Sequence, residues 1–228
     1  MSEVGPPAEG PGIDYERLYA YRFQGIDQSA RQAAWDEITP VVARWLGSPA
    51  RVLDPAAGLG EFINAIDAEE RWVVDSVDYD QSVRDPDVKV LIGDARTVEL
   101  PAGHFDAVFV SNLLEHLPTQ DDVARLLRHL RAALRPGGRI AVMGPNFRYC
   151  SREYFDCADH TLALSHVAVA EHLHSAGYEI ERVIPRFLPY SFRSRMPSAP
   201  ALVRAYLRFP PAWRLLGKQF LVLASNPD

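Results

Sequence analysis

The chain has 228 residues, 47% of them hydrophobic and 24% charged, with a net charge of −6. That length and apolar fraction suffice for one sizeable core in a single domain over 15–228, so no second domain is needed. No apolar run approaches the ~20 residues of a transmembrane helix, and the acidic, Pro/Gly-rich start is unlike a signal peptide, reading instead as a flexible tail over 1–14.

The stretch 15–48 reads as covering helices. Ser29 with Gln32 is a candidate capping pair, and Trp35, Ile38, Val42 and Trp45 share one helical face, with a kink expected at Pro40. Val52-Leu53-Asp54 is then a short apolar strand closing on an acid. A turn of tiny residues follows, with Ala56, Gly58 and Gly60 ahead of a helix start. Small side chains allow a sharp bend and let a ligand lie against bare backbone, while the helix start offers unpaired N–H groups. The pattern reads as a nucleoside-cofactor turn, against the plainer alternative of a strand-to-helix corner. Its glycine spacing is not the G-x-G-x-x-G of dinucleotide sites, which disfavours a nicotinamide oxidoreductase.

Further apolar runs follow in order. Trp72–Val77 closes on Asp78 and Tyr79, and an acid at that strand end can accept both hydroxyl protons of a ribose. Lys89–Ile92 ends at Gly93-Asp94-Ala95-Arg96, and Phe105–Val110 runs into Ser111-Asn112-Leu113-Leu114-Glu115-His116. Thr119 and Asp122 form a capping pair for a helix whose Val123, Leu126, Leu127, Leu130 and Leu134 are core by spacing. Pro136-Gly137-Gly138 then stops the helix and starts a strand over Arg139–Met143. Alternating strands and helices imply a mostly parallel sheet covered on both faces, with ligands at the carboxyl ends of its strands.

The ordered set resembles the class I S-adenosylmethionine-dependent methyltransferases, with alanine in place of the first glycine of D-x-G-x-G-x-G. The resemblance implies a Rossmann-like α/β fold with a seven-stranded sheet, and S-adenosylmethionine as cofactor. It implies cofactor contacts from Asp54, Ala56, Gly58, Gly60, Asp78, Tyr79, Asp94, Ala95 and Ser111, with Asp78 on the ribose and Asp94 on the adenine amine. The last two strands are then Tyr178–Ile184 and Gln219–Ala224. Gly144–Tyr149, Asp159-His160 and the Arg186–Tyr190 stretch look like a bacterial type 11 subgroup of small-molecule and glycan methyltransferases.

Methyl transfer from a sulfonium requires alignment and, for a hydroxyl acceptor, proton removal. His116, just past the fourth strand, is the candidate base, with Glu115 and His160 beside the same acceptor; the alternative for His116 is a helix-start histidine bonded to backbone. Asn112-x-x-Glu115-His116 partially resembles the Glu-x-x-Glu-His motif of magnesium-assisted O-methyltransferases. That likeness makes Asn112, Glu115, His116 and His160 the candidate Mg²⁺ ligands, although Asn112 removes a carboxylate and Mg²⁺ prefers oxygen.

Residues 186–218 carry six arginines and one lysine with no acid, a segment charge of +7 that leaves −13 elsewhere. Interleaved with aromatics and prolines, the segment reads as a structural flap, as a lid over an anionic acceptor, or as a patch for an anionic membrane face. Arg148, Tyr149, Arg193 and Arg195 are the candidate substrate contacts. Cys150 and Cys157 have no metal-site spacing and suit reduced thiols in a cytoplasmic protein with peripheral membrane contact as a further use. The expected activity is O-methylation of a small-molecule, sugar or lipid-linked glycan acceptor. The alternatives are a cofactor-binding subunit without catalysis and a nucleic-acid methyltransferase, the latter disfavoured because Ser111-Asn112-Leu113-Leu114 lacks the Asn/Asp-Pro-Pro-Tyr/Phe step that grips a flipped base.

Overall fold

The computed structural model describes residues 13–22, 24, 25, 27–76, 84–190 and 199–227. Seven strands form one sheet: β1 Arg51–Asp54, β2 Glu70–Asp75, β3 Lys89–Ile92, β4 Phe105–Ser111, β5 Leu134–Pro145, β6 Glu179–Ile184 and β7 Gln219–Ser225. Their order is β3-β2-β1-β4-β5-β7-β6. β3, β2, β1, β4 and β5 are parallel, and β7 runs antiparallel to both its neighbours. The chain reverses its strand order between β1 and β4, and the crevice outside such a switch point is where open α/β sheets bind ligands.

Adjacent residues on each central strand bury on opposite faces. Leu53, Val74, Val108 and Val110 face one way, into a core shared with α4 (Gln120–Ala133) and α6 (His166–Ser175). Val52, Val73, Ala107 and Phe109 face the other, against α2 (Gln28–Trp45) and α3 (Glu61–Ala65). Both faces are covered, which is why these strands read as unbroken apolar runs.

Thr119 caps α4, accepting the Asp122 amide at 3.1 Å, and the five apolar residues expected in the core are at most 2% exposed. Leu134 already pairs with Phe105, so the Pro-Gly-Gly step lies inside β5, where the register with β4 shifts. α2 departs further from expectation. Its cap is Asp27, which accepts the Ala30 amide at 3.0 Å, and the helix continues through Pro40 as one element. Between β6 and β7, α7 (Pro200–Leu207) and α8 (Pro210–Leu216) pack on α2, with Trp213 edge-on to Trp45 and Arg204 paired to Glu37. Among the described residues no helix is long and apolar enough to cross a membrane.

Candidate active site

Asp54 ends β1 with its carboxylate buried, accepting the Ala56 amide at 3.2 Å. Burial pushes the carboxyl up to about 7, and the charges of Asp75 and Glu61 add to the rise while the Ala56 hydrogen bond opposes it. Gly58 and Gly60 then take φ of +54° and +82°, a left-handed backbone that costs other residues ~1–2 kcal/mol. The Gly58 amide donates to Asp75 Oδ2 at 2.9 Å, which ties the ends of β1 and β2 together across the turn. Arg84 holds the Gly58 carbonyl at 2.8 Å. A Cβ on Gly60 would lie 3.1 Å from Arg84 Cγ, whereas one on Gly58 would meet no protein atom within 4 Å.

A cleft of about 420 Å³ opens along these strand ends. Asp54, Ala56, Gly58, Asp94, Ala95 and Ser111 all line it, as does His116; Gly60 does not. Trp35, Phe62 and Phe109 make an aromatic wall, and Tyr15, Tyr19 and Arg22 of α1 (Tyr15–Arg22) close one side. The described lining holds four carboxylates (Asp54, Glu61, Asp75, Asp94) and three guanidinium groups (Arg22, Arg31, Arg96). Asp94 is gripped by Arg96, whose Nε lies 2.9 and 3.0 Å from its two oxygens, and this holds the carboxyl below its ordinary range. The second strand ends at Asp75 rather than Val77, so the acid seen at its end is Asp75. Asp78 and Tyr79 lie outside the described residues, as do Arg193 and Arg195.

Directly after β4, Asn112 adopts φ +49° and a single 3₁₀ turn, Leu114–His116, swings His116 to the cleft. His116 Nδ1 lies 3.1 Å from the Asp159 carbonyl oxygen and 3.3 Å from its carboxylate. Two acceptors on one ring nitrogen assign a proton to Nδ1, so that in the neutral ring it is Nε2 that carries the lone pair. Asp159 in turn accepts from both terminal guanidinium nitrogens of Arg22, 137 residues away in sequence. Burial alone would raise the Asp159 carboxyl, but the Arg22 bonds and the His116 charge hold it below its ordinary range. His160 stands edge-on to His116, with ring centroids 4.8 Å apart, and among the described residues neither of its buried ring nitrogens meets a hydrogen-bond partner in good geometry. Burial and the neighbouring His116 push its imidazole down to about 4.

A family described as a methyltransferase domain matches residues 28–191. The chain belongs to this family. It is a class I S-adenosylmethionine-dependent methyltransferase. Among solved structures, it is similar to an S-adenosylmethionine-dependent methyltransferase from Archaeoglobus fulgidus, with 18% identity over 93% of this chain and 100% of that one, at a TM-score of 0.64. The N-methyltransferase NodS from Bradyrhizobium japonicum is 14% identical over 89% of this chain and 99% of its own, with a TM-score of 0.61. The [4+2]-cyclase SpnF, 18% identical, shares the fold over 84% of this chain and 80% of its own at a TM-score of 0.60. No functionally curated protein matches the chain. Since one fold serves methyl transfer and a cyclisation, what this methyltransferase acts on must be argued from its own site.

Of the three residues expected to act on the acceptor, only His116 lines the cleft. Glu115 is fully buried behind it, which raises its carboxyl, and His160 lies behind as well. Ligand atoms of Glu115, His116 and His160 all lie within 4.8 Å of one another, yet one carboxylate and two imidazoles do not suit Mg²⁺, which demands oxygen ligands. Nor do Arg148 and Tyr149 reach the cleft. Tyr149 is stacked on His166 and covered by Arg186 at 4.9 Å. The described parts of the basic segment leave the cleft open too, because Arg186 is held by the Gly217 and Leu215 carbonyls and α7 and α8 lie on α2. Sequence reasoning missed three residues: Arg22, Asp159 and Arg84. Asp159 entered only as part of the Asp159-His160 step, with no role of its own, and no local pattern marks Arg22 or Arg84.

Proposed function

We propose that this methyltransferase transfers a methyl group to a hydroxyl of a small-molecule, sugar or lipid-linked glycan acceptor, with His116 Nε2 taking the hydroxyl proton. The observation that supports the reading is the Asp159–His116 pair: His116 lines the cleft just past the end of β4, and Asp159 holds its Nδ1. A hydroxyl must lose its proton as the bond to carbon forms, so a positioned base is useful there, whereas a neutral amine attacks without one.

S-adenosylmethionine fits the rest of the cleft. Its ammonium and sulfonium outweigh its carboxylate, and a cation bound at the end of β1 would favour the ionised form of the Asp54 carboxyl, which burial otherwise pushes up to about 7. In this reading Asp54 and the turn from Ala56 to Gly58 hold the methionine portion, Asp94 and Ala95 the adenine, and Ser111 the reacting end. Glu115 and His160 are positioning residues that shape the pocket behind His116. No step passes through a metal. An anionic acceptor would be favoured by Arg193 and Arg195, because Arg22, Arg31 and Arg96 already pair with Asp159, Glu61 and Asp94.

The test is a panel of sugars, sugar phosphates, phenols and primary amines incubated with S-adenosylmethionine, with S-adenosylhomocysteine and methylated products measured by mass. Hydroxyl acceptors should turn over, and His116→Ala should abolish their products. Turnover of amines alone, or equal turnover by the His116→Ala enzyme, would overturn the assignment.

A further inference from the structure

The region between β6 and β7 presents two different sides. On its inner side Leu207 is buried and Val203, Tyr206 and Trp213 pack into the core shared with α2. Trp213 Nε1 donates to the Tyr206 carbonyl at 2.9 Å, and the Tyr206 hydroxyl donates to the Phe187 carbonyl at 2.7 Å, so α7 and α8 are fixed to each other and to the body. The outer side is apolar. Leu202 is 53% exposed, Phe209 60%, Leu215 78% and Leu216 50%, and α8 has no buried residue. Single exposed apolar residues need no explanation, but Leu202 on α7, Phe209 at the joint and Leu215 and Leu216 on α8 leave four large apolar side chains exposed along one short helical pair.

Cations share that side. Arg208 and Arg214 are exposed and form no ion pair among the described residues, and the sequence has no acid between Glu181 and Asp228. Exposed apolar side chains beside Arg208 and Arg214, in a segment with no acid of its own and with Glu37 of α2 already held by Arg204, match the interfacial zone of an anionic bilayer: acyl-chain boundary for the leucines and phosphate oxygens for the guanidinium groups. A symmetric contact between two copies through this face would set the same cations against each other, which disfavours it.

We propose that the outer face of the α7–α8 pair docks the enzyme on a membrane bearing anionic phospholipid. The face is built from residues other than those of the cleft, so docking and cofactor binding are separable. A membrane-docked enzyme would meet acceptors held at the bilayer surface, which is where a lipid-linked acceptor resides.

Sedimentation of the full chain with phosphatidylcholine vesicles, with and without phosphatidylglycerol, tests this. Wild type should partition onto the vesicles that contain phosphatidylglycerol and release as salt rises. Arg208→Gln with Arg214→Gln should lower that partition by roughly 30-fold, at about fivefold for each arginine. Leu215→Ser with Leu216→Ser should lower it about tenfold or more. Both double variants should keep wild-type affinity for S-adenosylhomocysteine in calorimetry, which shows an intact fold. No binding by wild type at low salt, equal binding to neutral and anionic vesicles, or full retention by both variants would overturn the proposal. So would a concentration-dependent dimer that the leucine variant abolishes, since the face would then belong to a second copy.

Discussion

Replacing Asp54 by Asn should stabilise the cofactor-free enzyme, and by an amount that depends on pH. Asp54 is 3% exposed, its carboxyl is raised from 3.8 to about 7 by burial, and Asp75 and Glu61 add repulsion. A raised acid binds its proton more tightly in the folded than in the unfolded chain. Its contribution is therefore complete below about pH 4 and is lost as pH rises to about 7. The rise of roughly three units, at ~1.4 kcal/mol each, corresponds to about 4 kcal/mol of stability forfeited by pH 8. Asn keeps an oxygen for the Ala56 amide and carries no charge, so most of that loss should disappear. Urea unfolding of both proteins at several pH values is the assay. Asp54→Asn should be more stable by a few kcal/mol at pH 8, with the gap closing below pH 5. An Asn variant less stable than wild type at pH 8, or a gap independent of pH, would refute the assignment of a strained charge at the end of β1.

His116→Ala should lower turnover by ~10²–10⁴-fold while leaving S-adenosylhomocysteine affinity unchanged, measured by initial rates and calorimetry on the same preparation. His160, lowered from 6.5 to about 4 by burial and His116, binds its proton more weakly when folded. Its contribution is present above about pH 6.5 and is lost as pH falls toward 4, an acid-side loss of about 3 kcal/mol. His160→Phe, which keeps a ring against Tyr154 and His116, should flatten that limb of the stability profile. An unchanged limb would show that another group titrates there.

Much of the fold was legible because it is written in local periodicity. The α4 leucines recur at helical spacing with Thr119 before them, and the central strands are apolar runs because both sheet faces are covered. Local choices between equivalent signals were harder: Asp27 outcompeted Ser29 as the α2 cap, and Pro40 stayed inside its helix. The turn after β1 announced itself through small residues at fixed spacing, and so did the strand-end positions of Asp94 and Ser111. Long-range partners leave no such mark. Nothing in the sequence around Arg22 says that it grips Asp159, and only three-dimensional placement shows that Glu115 and His160 stand behind His116 rather than beside it in the cleft. The basic segment illustrates a similar limit, since composition shows charge and aromatics but not that α7 and α8 would pack on α2.

The central claim is that the cofactor lies against the bare backbone at Gly58. Calorimetric titration of S-adenosylhomocysteine into wild type and Gly58→Asn tests it most directly. Asn tolerates the left-handed backbone found there, and a Cβ at that position meets no protein atom within 4 Å, so the variant should fold with a near-normal melt. Wild type should bind, and the folded variant should lose at least tenfold in affinity because its side chain occupies space the ligand needs. Equal affinity in a folded Gly58→Asn enzyme would contradict the placement of the cofactor and the assignment of roles built on it.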